Sequence, residues 1–226
     1  MLIVQDKQIH ILYTRVFKNL QEDAHKRCLS LLPNSLKDKH SRFKRLQDRV
    51  ANLCGKMLLI QGLQRFGLNY SSLENLKYSD YGRPHVSGSL DFNISHSGDY
   101  IICGIGNKIR LGVDIEEIKQ VDFSDFENVM TEKEWKLIKN ANNPLKTFFK
   151  YWTIKESIIK ADGRGLTIPL NDIIIKDKVA YYEGRWHLKE LDVDEKYCVS
   201  LASNWESPLI SLEYIDLSTI LRTPNS

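Results

Sequence analysis

Residues 112–116 read Gly-Val-Asp-Ile-Glu, and the interpretation of the whole chain begins from this short stretch. Asp114 and Glu116 are two positions apart and alternate with the aliphatic residues Val113 and Ile115. In a β-strand this alternation places both acids on one face and both aliphatics on the other. The stretch therefore predicts a strand that presents two carboxylates side by side while its opposite face enters the core.

A second stretch, farther along the chain, has the period of an α-helix. It follows Pro144, a plausible first-turn residue, and precedes Gly163, a plausible stop. Glu156 comes four positions after Trp152, so its carboxylate lies on or beside the apolar stripe rather than on the wet face. Burying a carboxylate is costly unless it is paired, and a partner cation is therefore expected. The apolar residues near the i, i+3, i+4, i+7 spacing are Leu145, Phe148, Phe149, Trp152 and Ile159.

The three acids Asp114, Glu116 and Glu156 would form a ligand set made only of oxygen. Such a set favours magnesium or manganese over zinc or copper, and magnesium usually completes its shell with water and substrate phosphates. Lys155 and Lys160 lie next to Glu156, which suits a bound pyrophosphate. The residues alone leave a plainer interpretation open, in which the strand acids lie on a solvated edge and the helix exposes one Glu-to-Lys pair of small energetic weight.

The composition indicates a globular protein without a broad nucleic-acid surface. The chain has 226 residues, 42% of them hydrophobic, and a net charge of only +3, although residues 37–49 are locally basic. The four cysteines are scattered with no C-x-x-C pair, which argues against a zinc site or a disulfide framework. The N-terminus carries charge too early for a signal peptide, and no run reaches membrane-spanning length. We expect a cytoplasmic monomer that binds neither nucleic acid nor membrane.

A weak internal repeat predicts two similar halves. Residues 100–107 and 197–204 both begin with Tyr, end with Asn and read as buried strands. A long helical stretch precedes each of them, at about residues 41–66 and about residues 145–161. The expected fold class is α+β, with an N-terminal half at residues 1–107 and a C-terminal half at residues 108–226, each a long helix packed on a small antiparallel sheet.

These motifs together resemble those of the Sfp-type 4′-phosphopantetheinyl transferases. That family is marked by (V/I)-G-(V/I)-D-x-E and then (F/W)-x-x-K-E-(A/S)-x-x-K with a trailing glycine-rich turn, which here fall at residues 111–116, 152–160 and 163–166. Two further family segments lie upstream in the expected order, Tyr81-Gly82-Arg83-Pro84 and the run Phe-Asn-Ile-Ser-His-Ser-Gly at residues 92–98. The resemblance covers about residues 37–170 and implies that the two halves are related by a pseudo-twofold axis.

The resemblance implies an enzyme that transfers 4′-phosphopantetheine from coenzyme A to a serine of an apo acyl or peptidyl carrier protein and releases adenosine 3′,5′-bisphosphate. It implies a magnesium site, with manganese as a substitute, at Asp114, Glu116 and Glu156. Lys160 would neutralise or protonate the leaving phosphate, and Lys155 would hold the adjacent one. The catalytic residues would be Glu156, Lys160 and a general base.

By resemblance, the N-terminal half supplies most contacts to coenzyme A, the co-substrate. The turn at Tyr81 and Gly82 would run along the adenine, and Arg83 would hold a phosphate where many relatives carry lysine. Lys39 and Arg42 would approach the 3′-phosphate. The full set of residues predicted to bind coenzyme A is Lys39, Arg42, Tyr81, Gly82, Arg83, Ser95, His96, Asp114, Lys155 and Lys160.

Two assignments in the C-terminal half rest on the resemblance against a plainer alternative. The general base would be Glu134, although Thr131 followed by Glu134 is also a capping box at a helix start, and the two roles are compatible. The carrier would dock after the Asp-x-Glu strand, at Phe123 or Phe126, although large aromatics are usually well buried and both rings could be core residues.

Two other functions remain open at the level of sequence. One is a different magnesium-dependent phosphotransferase or pyrophosphate-cleaving enzyme that uses the same carboxylates on a nucleotide. The other is a non-catalytic module that binds carrier protein or nucleic acid through the basic helix. The absence of a G-x-x-x-x-G-K-[ST] loop in the sequence argues against a P-loop enzyme.

Overall fold

A computed structural model describes residues 7–17, 22–86 and 88–218, and all statements about structure concern these residues. They form five α-helices and eleven β-strands. The helices are α1 (Glu22–Ser30), α2 (Asn34–Ser41), α3 (Leu46–Gln64), α4 (Glu132–Lys139) and α5 (Pro144–Asp162). The strands are β1 (Gln8–Arg15), β2 (Lys77–Tyr78), β3 (Pro84–His85), β4 (Leu90–Ser97), β5 (Tyr100–Asn107), β6 (Leu111–Glu117), β7 (Ile174–Lys176), β8 (Val179–Tyr181), β9 (Arg185–Glu190), β10 (Tyr197–Ser203) and β11 (Leu209–Tyr214).

The strands form two main sheets and one short hairpin. The first sheet has the order β11-β1-β5-β4 and the second the order β6-β10-β9-β8-β7, while β2 pairs only with β3. Within the second sheet every pairing is antiparallel. None of the described helices combines the length and the hydrophobicity that crossing a bilayer requires.

Each long helix covers the outer face of one sheet, which confirms the predicted α+β class. The core between α3 and the first sheet includes Leu58 and Ile101, and that between α5 and the second sheet includes Ile158 and Ala202. The inner faces of the two sheets share a further core, because strand residues alternate between faces. That shared core contains Ile9, Ile11, Ile102, Leu111, Val113, Ile115, Val199 and Leu201.

The two long helices begin and end where local chemistry dictates. The first long helix was predicted to begin at about residue 41. Instead, α2 ends at Ser41, and α3 begins only after Arg45, which has an extended conformation. The second matches the expectation closely. Asn143 accepts a hydrogen bond from the Lys146 amide at the start of α5, and Gly163 ends it at φ +94°, a conformation that favours glycine.

One strand departs from the predicted division of the chain. β11 belongs to the C-terminal half by sequence, yet it joins the first sheet beside β1. The pairing is parallel, whereas the prediction was an antiparallel sheet. A parallel neighbour needs a long crossover connection, so no local sequence signal announces it.

β6 and α5 approach each other at Gly112 more closely than any side chain would allow. A Cβ at this position would overlap the Ser157 carbonyl oxygen and the Ala161 amide nitrogen, and would lie 3.0 Å from the Ala161 Cα. The face of β6 that carries Gly112 also carries Asp114, two residues on. The missing side chain therefore sets the distance between the first predicted ligand strand and the helix that carries Glu156.

Polar side chains of β4 join the first sheet to the edge of the second. The Asp91 carboxylate accepts from the Leu111 amide at 2.9 Å, and the Asn93 side-chain oxygen accepts from the Val113 amide at 3.0 Å. Ser97 Oγ accepts from the Glu117 amide at 3.1 Å. These side chains satisfy β6 amides that have no strand partner on that side. The alternation of polar residues at 91, 93, 95 and 97 is the sequence signal for this contact.

We predict that Gly112→Ala destabilises the protein by roughly 3 kcal/mol, the upper end of overpacking, because the new methyl group meets backbone that cannot rotate away. Gly55→Ala is the matched control on α3. Its Cβ would lie 3.1 Å from Ile94 Cγ2, and its three nearest neighbours are all side-chain atoms. Urea unfolding of both variants measures the difference, and equal midpoints would contradict the proposed constraint.

Candidate active site

The centre of the candidate site is Asp114, which is 1% exposed. Its Oδ1 accepts from Lys160 Nζ at 2.5 Å and from Ser95 Oγ at 2.8 Å, and Lys160 Nζ also donates to Ser95 Oγ at 2.8 Å. Its Oδ2 is buried and has no hydrogen-bond partner among the described residues. Strand β4, strand β6 and helix α5 thus each contribute one polar group to a single triangle.

Glu116 and Glu156 complete a cluster of three acids around this triangle. Burial raises the pKa of Glu116, and the Asp114 charge raises it further, although Ser97 Oγ donates to Glu116 Oε2 at 2.7 Å. Burial also raises the pKa of Glu156, again with Asp114 as the next cause. The Asp114 charge therefore acts on both glutamates.

The donor chemistry of this cluster fits a hard divalent cation. All three acids offer oxygen, and the buried Oδ2 of Asp114 lacks a partner. The described residues do not, however, contain three His, Cys, Asp or Glu side chains already converged as a metal cage. The Lys160 ammonium instead neutralises Asp114. Like charges repel at close range, so an ion would have to draw the acids together.

Two residues predicted at the catalytic centre form a separate buried ion pair. Lys155 is fully buried and donates to Glu134 Oε2 at 2.7 Å and to the carbonyl oxygens of Val129 and Leu170. Glu134 Oε2 also accepts from the Thr131 amide at 2.7 Å, which completes a capping box. Each group is thus occupied by the other inside the protein, and the roles of Glu134 as general base and of Lys155 as a phosphate contact stay predictions.

Arg83 is likewise paired inside the protein. Its guanidinium is buried and binds the Asp91 carboxylate at 2.7 Å, and it donates to the Leu111 carbonyl at 2.9 Å and to the Lys160 carbonyl. These bonds tie the β2–β3 hairpin to β4, β6 and the last turn of α5. The charge of Arg83 is therefore neutralised within the protein, and its predicted contact with a phosphate stays a prediction.

Of the other predicted contacts in the N-terminal half, Ser95 is buried whereas His96, Lys39 and Arg42 are exposed. Ser95 and His96 are neighbours on β4 and point to opposite faces, so Ser95 is buried against Asp114 while His96 is exposed. Lys39 and Arg42 are both exposed on α2 or at its end, and neither forms an ion pair with a described residue.

The hairpin turn packs against α2 through Lys39, whose Nζ lies 3.5 Å from the centre of the Tyr78 ring. The turn itself closes with Gly82 at φ +80°, and its amide donates to the Ser79 carbonyl at 2.8 Å. Tyr81 is 59% exposed at the tip. Lys39, Tyr81 and Gly82 are thus close in space although they are distant in sequence.

Sequence reasoning missed Lys56 on α3. Desolvation lowers the pKa of Lys56, the Lys39 charge lowers it further, and no described acid forms an ion pair with it. A partly buried ammonium without an acid is a favourable place for an anionic ligand. No sequence signal marked Lys56, because it is a single lysine inside an apolar helix.

Phe123 and Phe126 lie in an aromatic cluster between α4 and α5. The Phe123 ring centre is 5.2 Å from that of Phe148, and the Phe126 ring centre is 5.4 Å from that of Trp152. Both phenylalanines are half-buried and pack against the same core. The structure therefore gives them a packing role while leaving part of each ring exposed.

Two sequence models of related description match this chain, one in each half. A sequence model described as the 4′-phosphopantetheinyl transferase superfamily matches residues 110–207. A second, described as the N-terminal region of 4′-phosphopantetheinyl transferase, matches residues 19–105. Ser95 falls within the second match, whereas Asp114 and Lys160 fall within the first.

Three relatives illustrate the similarity. The 4′-phosphopantetheinyl transferase gsp of Aneurinibacillus migulanus is 38% identical over 152 residues, which is 64% of this chain and 63% of the relative. The 4′-phosphopantetheinyl transferase Sfp of Bacillus subtilis strain 168 is 28% identical over 70% of this chain and 71% of its own length. Another 4′-phosphopantetheinyl transferase of Bacillus subtilis is 26% identical over 78% of this chain and 84% of its own length. The first alignment thus spans less than two thirds of that relative.

We predict that Lys155→Met destabilises the protein by about 3–5 kcal/mol, because Glu134 would keep a buried charge without its partner. The double variant Lys155→Met, Glu134→Gln should recover most of this loss, since glutamine is uncharged and can still cap Thr131. Urea unfolding of the two variants measures the coupling. A Lys155→Met protein as stable as the wild type would contradict the structural role of the pair and favour the phosphate-binding role.

We predict that Glu156→Gln raises the thermal midpoint of the metal-free protein at neutral pH. The pKa of Glu156 is raised in the folded state, so its contribution to stability is present at acid pH and is lost as pH rises through the folded pKa. Glutamine removes this penalty. Differential scanning calorimetry with EDTA tests it, and a lower midpoint would show that the Glu156 charge stabilises the fold.

Proposed function

The chain belongs to the 4′-phosphopantetheinyl transferases of the Sfp type, and from this premise we propose that it transfers 4′-phosphopantetheine from coenzyme A to a serine of an apo acyl or peptidyl carrier protein. The observation that carries the proposal is the triangle of Ser95, Asp114 and Lys160. It joins polar groups from both family-matched regions at one point. The N-terminal half would supply coenzyme A contacts, and the C-terminal half the metal site, catalysis and carrier docking.

Asp114, Glu116 and Glu156 would hold magnesium, or manganese, together with pyrophosphate oxygens of coenzyme A. When bound, the ion would add positive charge to those oxygens and so favour departure of the leaving phosphate. The Lys160 ammonium, 2.5 Å from Asp114 in the free protein, is within reach of the same region. We propose that Lys160 exchanges its contact with Asp114 for one with the phosphate when coenzyme A binds.

The reaction is a phosphoryl transfer at the β-phosphate of coenzyme A. A bond forms between the carrier serine oxygen and phosphorus, the pyrophosphate bridge breaks, and adenosine 3′,5′-bisphosphate leaves. Lys160 would donate a proton or a hydrogen bond to the leaving phosphate. Catalysis of this kind depends mainly on positioning and on charge placed before the reaction begins.

Glu156 is the acid best placed to accept the serine proton, now that Glu134 is committed to Lys155. Its carboxylate accepts no hydrogen bond from a described residue, in contrast to Asp114 and Glu116. A carboxylate that borders the ion and also takes a proton would align the serine with the phosphorus atom.

The adenosine end of coenzyme A would lie along the surface formed by α2, α3 and the β2–β3 hairpin. Lys39, Arg42 and Lys56 would bind the 3′-phosphate, because none of these cations has an acidic partner among the described residues. The backbone at Gly82 and the exposed ring of Tyr81 would border the adenine. His96 would meet the phosphates from the exposed face of β4.

The carrier protein would approach the segment after β6. The half-buried rings of Phe123 and Phe126 offer apolar surface there, and their anchoring in the aromatic cluster would keep that surface rigid. Basic side chains at residues 37–49 would guide an acidic carrier by long-range attraction. The proposal keeps the expected cytoplasmic location and monomeric state, with neither nucleic acid nor membrane as a partner.

We predict that incubation of an apo carrier protein with coenzyme A, magnesium and this protein adds the mass of one phosphopantetheine group to the carrier, and that EDTA abolishes the addition. Intact-mass spectrometry measures both results. A carrier whose acceptor serine is changed to alanine should stay unmodified, and the Glu156→Gln enzyme should be inactive while folded.

Each failure points to a named alternative. Coenzyme A cleavage without carrier modification would favour a pyrophosphate-cleaving enzyme. Carrier or coenzyme A binding without turnover, and without a metal requirement, would favour a non-catalytic binding module. A panel of apo carriers that all remain unmodified would overturn the proposed function.

A further inference from the structure

Two histidines join helices α1 and α2 at one close contact. His25 Nε2 on α1 lies 3.1 Å from His40 Nε2 on α2, and the ring centres are 5.2 Å apart with the planes tilted by 41°. At this distance one nitrogen donates a hydrogen and the other accepts it. Whichever tautomers are present, one hydrogen lies between the two Nε2 atoms.

The contact therefore limits how much charge the pair can carry. A doubly protonated imidazole has a hydrogen on both nitrogens and offers no acceptor. If both rings were protonated, two N–H groups and two positive charges would face each other at the contact. The pair can keep the contact with at most one positive charge, whereas two separated histidines would both become charged in mild acid.

The surroundings of His40 make a second charge still less favourable. His40 is 3% exposed, and its Nδ1 is buried with no partner in the part of the chain that the structure describes. Among the described elements packed against it, α1 presents His25 and α3 presents the cation Arg49, while no carboxylate pairs with it. Burial, His25 and Arg49, in that order, lower the pKa of His40.

Helix α2 is also the element that carries Lys39 next to His40, and Arg42 follows at its end. We propose that His40 is a positioning residue for coenzyme A: through its contact with His25 it holds α2, and with it Lys39 and Arg42, in place at neutral pH, and acid releases the contact. The part that concerns coenzyme A rests on the proposed function. The part that concerns α2 does not.

The direction of the pH effect follows from linkage. A histidine with a lowered folded pKa stabilises the closed state above its ordinary pKa of about 6.5, and this contribution is lost as pH falls. The open state then binds one proton more than the closed state. The opening equilibrium of α2 should therefore rise by up to about tenfold for each pH unit below about 6.5.

The first test needs no ligand. Amide hydrogen exchange of α2, corrected for the intrinsic effect of pH, should show an opening constant that rises up to about fivefold between about pH 6.5 and about pH 5.5 in the wild type. His40→Gln should remove this rise, because an amide can donate or accept and does not titrate. His25→Gln serves as the second variant if His40→Gln does not fold. His187→Gln, a substitution on β9, should behave as the wild type.

The second test measures coenzyme A affinity by calorimetry at the same two pH values. Wild type should lose affinity on acidification by more than His40→Gln does, and comparison at equal pH cancels the titration of the ligand's own phosphates. An α2 exchange profile with the same pH dependence in wild type and His40→Gln would overturn the inference. Absence of coenzyme A binding at any pH would instead count against the proposed function, and the exchange result would still decide the role of His40.

Discussion

The contact on which the site depends is the approach of the α5 backbone to β6 at Gly112. Close packing of a helix on a sheet normally leaves room for side chains between them, and here one side chain is absent at the crossing point. The same face of β6 then brings Asp114 to Lys160, one helical turn after Glu156. A bulkier residue at position 112 would separate the strand from the helix and so separate the acids from each other.

A second constraint joins the two halves of the molecule. The polar face of β4 satisfies the free amides of β6, and Arg83 binds Asp91 together with carbonyl groups of β6 and α5. Ser95 is one member of this polar face, so the contact that holds the halves together also brings Ser95 to Asp114. The contact surface between the two halves thus also contains the candidate site, which explains why charged residues such as Arg83, Asp91 and Asp114 are buried there.

The two lysines of the α5 motif differ in burial, although the sequence motif predicts a phosphate contact for both. Lys155 and Lys160 both flank Glu156, yet Lys155 is fully buried against Glu134 while Lys160 is partly exposed beside Asp114. The buried pair anchors α4 and the segment near Leu170 to α5. Lys160 is thus the more exposed ammonium of the two, and it contacts Asp114. A bound cation would compete for that acid, and a bound phosphate would compete for the ammonium.

Sequence alone determined the elements whose signals are local. The Gly-Val-Asp-Ile-Glu alternation specified β6 and the common face of its acids, and Pro144, the apolar period and Gly163 specified α5, because strand and helix periodicity depend only on neighbouring residues. Tertiary structure decided what depends on distant partners. The ion pairs of Arg83 with Asp91 and of Lys155 with Glu134 join residues that no local pattern in the sequence pairs. The same is true of the pairing of β11 with β1 and of the contact between His25 and His40. A charged side chain binds a ligand or another side chain according to the groups that surround it in the folded protein. Those groups come from distant parts of the chain, so the spacing of residues in the sequence does not predict them.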